Sequence, residues 1–207
     1  MKCCHIVGAG EMGGCKIAWK AGDLLIAADA GYTQVRRQGL KPDLVVGDFD
    51  SLGSVPEGEK IVRHPVMKDD TDMMLAVKEG ISRGYKDFVL LGATGGRFDH
   101  TLANLQTIAY GLEQGVFVMI ADENNMITML RDGSVFMPRM EGYYLSIFSY
   151  TPCCEGITLE GVKYPLQKAR LTNWTTLGLS NEILAETAQI TVEKGTLVVV
   201  VSKDRQK

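Results

Sequence analysis

Short apolar runs, several of them unbroken, recur through the first part of the chain, at residues 4–8, 24–28, 44–46, 88–91 and 116–121. Runs of this length without polar alternation suit strands covered on both sheet faces. Between the later runs the period changes. Met74, Val77 and Ile81, then Leu102, Leu105, Ile108 and Leu112, fall at helical spacing, and both stripes are expected to face a core. Strands alternating with helices predict a mainly parallel sheet, so residues 1–131 read as an α/β domain whose strand carboxyl ends share one rim.

Past Asp132-Gly133 the texture becomes β-branched or alternating, at 134–137, 143–148, 156–159, 188–192 and 197–201. Residues 132–207 therefore read as a small all-β sandwich. Glu193-Lys194-Gly195-Thr196 is expected to be the hairpin turn between the last two strands, with the glycine free to take positive φ. The joint at 131–133 is too short for a flexible linker.

Composition narrows the partners. The chain has 207 residues, 45% of them hydrophobic, and a net charge of −3, so it can bury a sizeable core but has no basic excess to attract nucleic acid. No apolar run approaches the length of a membrane span, and the start lacks the apolar core of a signal peptide, so a cytoplasmic protein is expected. The cysteines, Cys3, Cys4, Cys15, Cys153 and Cys154, are odd in number and have no C-x-x-C spacing. They read as small buried hydrophobes in a reducing compartment.

The candidate chemistry stands where the expected strands end. In Gly47-Asp48-Phe49-Asp50-Ser51 an extended backbone turns Asp48 and Asp50 the same way, and two hard oxygen donors suit magnesium. A lone D-x-D also serves as an acidic turn. Lys68-Asp69-Asp70-Thr71-Asp72 precedes the Met74 helix; capping that helix needs one acid, and this cluster offers three beside a lysine suited to ATP phosphates. Gly92-Ala93-Thr94-Gly95-Gly96-Arg97-Phe98-Asp99-His100 joins a strand to a helix through glycines, which is phosphate-binding geometry. Arg97 adds a charged fork, Asp99 stands at the helix start, and His100 and Asn104 lie within reach of the same rim or serve the fold. Gly8-Ala9-Gly10-Glu11-Met12-Gly13, followed at a distance by Asp29, fits a dinucleotide fingerprint. Glu11 would put negative charge where a pyrophosphate should lie, which argues against a nicotinamide enzyme, although nucleotide could still sit nearby.

Taken together, Ala28-Asp29-Ala30-Gly31-Tyr32, Lys41-Pro42-Asp43, the Asp48, Asp72 and Gly95 segments, and Leu179-Ser180-Asn181-Glu182 resemble the thiamine pyrophosphokinase family over nearly the whole chain, in the family's order. The family's first motif usually reads Asp-Gly-Gly; here Ala30 replaces a glycine. The resemblance implies Asp48, Asp50, Asp72 and Asp99 as magnesium ligands and catalytic residues with Arg97. It implies ATP contacts from Asp29, Gly31, Lys68, Thr71, Gly95, Gly96, Arg97, His100 and Asn104. It also implies a homodimer through the β domain, with thiamine near the partner's Ser180-Asn181 region. Trp174 could stack on the thiamine ring, but a lone tryptophan in a sandwich is more often core. The implied reaction moves the diphosphate of ATP onto thiamine. The acidic rim alone equally suits another alcohol, such as a hydroxymethylpterin, or a nucleotide or thiamine sensor that has lost catalysis.

Overall fold

The computed structural model describes residues 2–47, 58, 60–63 and 69–204. The chain divides into two compact units, Met1–Glu123 and Asn124–Lys207.

Among the described residues of the first unit, six strands form a sheet paired parallel throughout: β1 (Cys3–Val7), β2 (Leu24–Ala28), β3 (Leu44–Gly47), β4 (Ile61–Arg63), β5 (Asp87–Leu91) and β6 (Phe117–Ala121). Their spatial order is β6-β5-β1-β2-β3-β4. The chain builds outward from β1 to β4, then returns through helix α2 (Asp72–Ser82) to β5 on the other side of β1. β1 and β5 thus flank the point where strand order reverses, the place where open α/β sheets open a crevice at their carboxyl ends.

Among the described residues three helices accompany this sheet: α1 (Gly31–Arg37), α2, and α3 (Phe98–Glu113). Of the core-facing positions expected on these helices, only Val77 and Ile108 are fully buried. α2 buries Met73, Ala76, Val77 and Gly80, and α3 buries Asn104, Thr107, Ile108 and Gly111. Leu102 is exposed, and Met74, Ile81, Leu105 and Leu112 are only half-buried. The reason is closeness of packing. A β-carbon on Gly80 would stand 2.4 Å from the Phe88 ring, and one on Gly111 would stand 2.3 Å from a Val118 methyl. Small residues let these helices lie close to the strands, and the bulky ones move to the flanks.

No helix follows β1. Residues 8–23 are irregular, and Met12 and Ile17 from this loop join Val35 of α1 in covering Val7, Leu25, Ala27 and Val45. Gln38 ties the loop down, accepting from Ile17 N and donating to Cys15 O, each at 3.0 Å. The fingerprint at Gly8–Gly13 therefore lacks the helix that a dinucleotide fold places there.

The second unit contains β7 (Asn125–Pro138), β8 (Tyr143–Ser149), β9 (Cys153–Glu160), β10 (Leu166–Thr172) and β11 (Thr187–Lys203), all paired antiparallel. The expected hairpin at 193–196 is not a turn between two strands, because β11 continues through it. The first half of β11 pairs with β9 and the second half with β8, while β7 follows it along both. The pairing shifts between Val192 and Thr196, where Asp132 Oδ1 accepts from Gly195 N at 2.8 Å. Asp132, at φ 43°, and Gly195, at φ 109°, are the two sides of one strand corner.

The corner has a packing purpose. Ala188, Ile190 and Val192 face the core before it, and Leu197, Val199 and Val201 after it. Strict alternation would have turned the second set outward; the irregularity resets the parity. The two half-sheets enclose one core with Leu145, Ile147, Ile157, Leu159 and Leu171, which makes the unit the expected β-sandwich. The expected division at 131/132 falls inside β7, eight residues beyond the division between the compact units. All five cysteines are free. Among the described residues no helix is long and apolar enough to cross a membrane.

Candidate active site

A cleft of about 350 Å³ opens at the ends of β1, β2 and β5. Its floor and walls come from Gly8–Gly10, from Ala28 and Asp29, and from residues 92–97, with Thr71–Met73, His100 and Asn104 completing it. Two glycine loops therefore meet at the strand switch point. Gly8 N donates to Leu91 O and Gly10 N to Gly92 O, both at 2.8 Å. A β-carbon on Gly8, Gly10 or Gly92 would stand within 2.8 Å of backbone in the opposite loop. The sequence reading missed this use: these glycines fit two loops together. Gly95 and Gly96, at φ 80° and 60°, are exposed at the cleft and leave backbone open to a ligand.

Asp29 directly follows β2 in a left-handed conformation, φ 46°, and its N donates to Val46 O of β3. Its Oδ1 is buried without a hydrogen-bond partner. Buried carboxylate oxygens are normally satisfied, so an unpartnered one on a residue that lines a cleft is suited to a cation or a donor from a ligand. Gly47, the last residue of β3, lies against Asp29: a β-carbon there would be 3.3 Å from Asp29 Cα. Gly31 is not a lining residue. It is the buried first residue of α1, where a β-carbon would stand 1.8 Å from Val7 O.

Thr71 caps α2, its Oγ1 accepting from Met74 N at 3.2 Å, and Asp72 is the first residue of that helix. Asp70 turns instead to Lys78, 2.6 Å from Nζ, and this lysine also lies over the Tyr110 ring. At α3, Arg97 and Asp99 form a two-bond fork of 3.1 and 2.5 Å, both side chains largely exposed. The Arg97 guanidinium holds the Asp99 carboxyl below the usual carboxylate range, aided by the His100 amide. The positive ends of two helices thus border the cleft, an arrangement that favours anions. Asn104 is buried, and its Nδ2 donates to Ala93 O at 2.7 Å, bracing the glycine loop from below.

Asp48, Asp50 and Lys68 lie outside the described residues. Among the described residues no three His, Cys, Asp or Glu side chains form a metal-holding group.

In the second unit Ser180 adopts φ 54°, uncommon for serine, and its N donates to Ser146 Oγ at 3.0 Å. The Asn181 side chain is spent on the fold: Oδ1 accepts from Tyr164 N and Glu182 N, and Nδ2 donates to Tyr164 O. Trp174 is 75% exposed, so it is not the core residue that its place in a sandwich suggested. It shares the 174–179 segment with exposed Leu177 and Leu179.

The family model for the thiamin pyrophosphokinase catalytic domain matches residues 15–120, and that for the thiamin pyrophosphokinase vitamin B1 binding domain matches residues 134–197. A thiamine pyrophosphokinase of Bacillus subtilis is 30% identical over 189 residues, covering 87% of this chain and 88% of the relative. The crystal structure of the Bacillus subtilis thiamine pyrophosphokinase superposes with a TM-score of 0.90 at 27% identity, covering 99% of this chain and 100% of that one. A family protein from Enterococcus faecalis gives 0.86 at 32% identity, with 99% and 100% covered. Two domain matches in order and similarity along almost the entire length leave one assignment: the chain belongs to the thiamine pyrophosphokinase family.

Proposed function

We infer that this chain carries out its family's reaction, making thiamine diphosphate from thiamine and ATP, and we propose that ATP lies in the cleft at the ends of β1, β2 and β5. The observation that carries the proposal is the convergence there of exposed Gly95 and Gly96, two helix N-termini, Arg97, and the carboxylates Asp29 and Asp72. Glycine amides and Arg97 serve phosphate oxygens, and hard carboxylates serve the cation that accompanies them.

The thiamine hydroxyl attacks the β-phosphorus of ATP in line, and AMP leaves. Such a transfer asks mainly for positioning and charge neutralisation. The donor set fits magnesium: Asp29 Oδ1 is buried and unpartnered in a cleft that Asp72 also lines. Asp48, Asp50, Asp72 and Asp99 are the proposed holders, and magnesium, when bound, neutralises charge on the polyphosphate. Arg97 exchanges Asp99 for a phosphate oxygen, which frees that carboxylate. Lys68 adds positive charge beside the polyphosphate, and Thr71, His100 and Asn104 shape its pocket. Either Asp72 or Asp99 accepts the alcohol proton.

The exposed Trp174 and the strained Ser180 support a thiamine contact in the β domain, and exposed Leu177 and Leu179 support a homodimer through it. The reading puts the reaction in the cytoplasm, where five free thiols stay reduced. The test is AMP release from ATP and magnesium with thiamine, with a hydroxymethylpterin and with no acceptor, beside an Asp50→Asn variant. Thiamine-dependent AMP that the variant abolishes is the expected result. AMP formed only with the pterin would overturn the acceptor, and none with either would leave a sensor.

A further inference from the structure

Thr94 lines the cleft, and its hydroxyl donates to Asp122 Oδ2 at 2.6 Å. A hydroxyl has one proton, so toward the cleft this oxygen can only accept. Its carbonyl oxygen lies where the two glycine loops touch: a β-carbon on Gly10 would stand 2.4 Å away. Asp122 directly follows β6, and the next residue, Glu123, accepts from Gly14 N at 3.1 Å. The Glu123 side chain also fills the space over Gly13, with Oε2 2.3 Å from where a β-carbon would be. Adjacent carboxylates at one strand end therefore hold one glycine loop each, and neither is a lining residue of the cleft.

We propose that Asp122, seconded by Glu123, is a positioning residue that sets the spacing of the two glycine loops for nucleotide. The geometry also makes Thr94 an acceptor-only group, matched to an amino group, a bound water or a cation rather than to a phosphate oxygen. β1 is followed by sixteen irregular residues, and the 92–97 loop is glycine-rich, so neither wall holds its shape by helix or strand pairing. A charged hydrogen bond from the end of β6 adds to the restraint that Asn104 and Gln38 supply. The proposal rests on the ATP reading of the cleft.

The test compares wild type with Asp122→Ala, Asp122→Asn, Thr94→Val and the Asp122→Ala/Thr94→Val double variant. Loss of a charge-assisted bond should raise the KM for ATP in Asp122→Ala by about tenfold, with kcat at saturating ATP kept within about threefold. Asp122→Asn, which keeps an acceptor oxygen, should recover most of the loss. The double variant should be no worse than the worse single one, because both remove the same bond. Amide exchange in residues 8–14 and 92–97 should quicken in Asp122→Ala and in Thr94→Val, but not in α2. Unchanged exchange, additive losses, or a fall confined to kcat would overturn the proposal. Exchange needs no substrate, so it decides the clamp even if wild type forms no AMP, a result that would overturn the ATP reading instead.

Discussion

Asn104 Nδ2 donates to Ala93 O across 2.7 Å, from a side chain only 7% exposed, and so joins the second turn of α3 to the loop that lines the cleft. Asn104→Asp keeps the shape but replaces the donor with an oxygen facing an oxygen. Leaving that carbonyl unmet and placing a carboxylate against it should cost about 2–3 kcal/mol of stability. Urea unfolding measures the loss, and nucleotide titration should show weaker binding in the same variant.

Gly31→Ala is expected to be among the most damaging single-methyl changes in the chain. The added carbon would stand 1.8 Å from Val7 O and 2.6 Å from Val7 C, backbone atoms in the middle of the sheet that cannot yield. A loss above about 3 kcal/mol, or failure to fold, should follow. Gly39→Ala is the control. It has φ 73° with nothing nearby, so it should lose only about 1 kcal/mol, from conformation alone.

Asp23 predicts an acid limb to stability. Burial opposes its ionisation, but the Cys3 and Lys20 amides, at 2.9 and 3.2 Å, and the His5 ring outweigh that and hold its carboxyl below the usual value of 3.8. A depressed carboxylate contributes stability above its unfolded pKa and loses it as pH falls through the folded one. Wild type should therefore lose stability below about pH 4, and Asp23→Asn, weaker at neutral pH, should show a flatter decline there. Unfolding curves at pH 7, 4 and 3 provide the check.

Trp174→Ala should separate ligand contact from core. At 75% exposure the indole contributes little to folding, so stability should stay within about 0.5 kcal/mol while the KM for thiamine rises. A large loss of stability with an unchanged thiamine KM would contradict that assignment.

The sequence was most legible where one strand meets one loop. The apolar runs of β1, β2, β3, β5 and β6 needed no partner to be recognised, and the carboxylate and glycine clusters after β1, β2, β3 and β5 announced themselves. β10, reading Leu-Gln-Lys-Ala-Arg-Leu-Thr, alternates too poorly to be seen alone, and only its pairing with β9 makes it a strand. The 193–196 corner misled because Gly195 permits either a hairpin or a bulge, and the choice rests with Asp132, 63 residues away. The helix faces misled similarly: Gly80 and Gly111 carry no hydrophobic signal, yet sheet contact selects them. Asp122 had a signal that went unused, since it follows an apolar strand as Asp29 and Asp48 do.

The most direct test of the central claim is phosphorus NMR of the full-length protein with ATP, magnesium and thiamine, following every product. The account predicts that AMP and thiamine diphosphate appear together in equal amounts. ADP with thiamine monophosphate, or ATP consumed without a thiamine product, would contradict it.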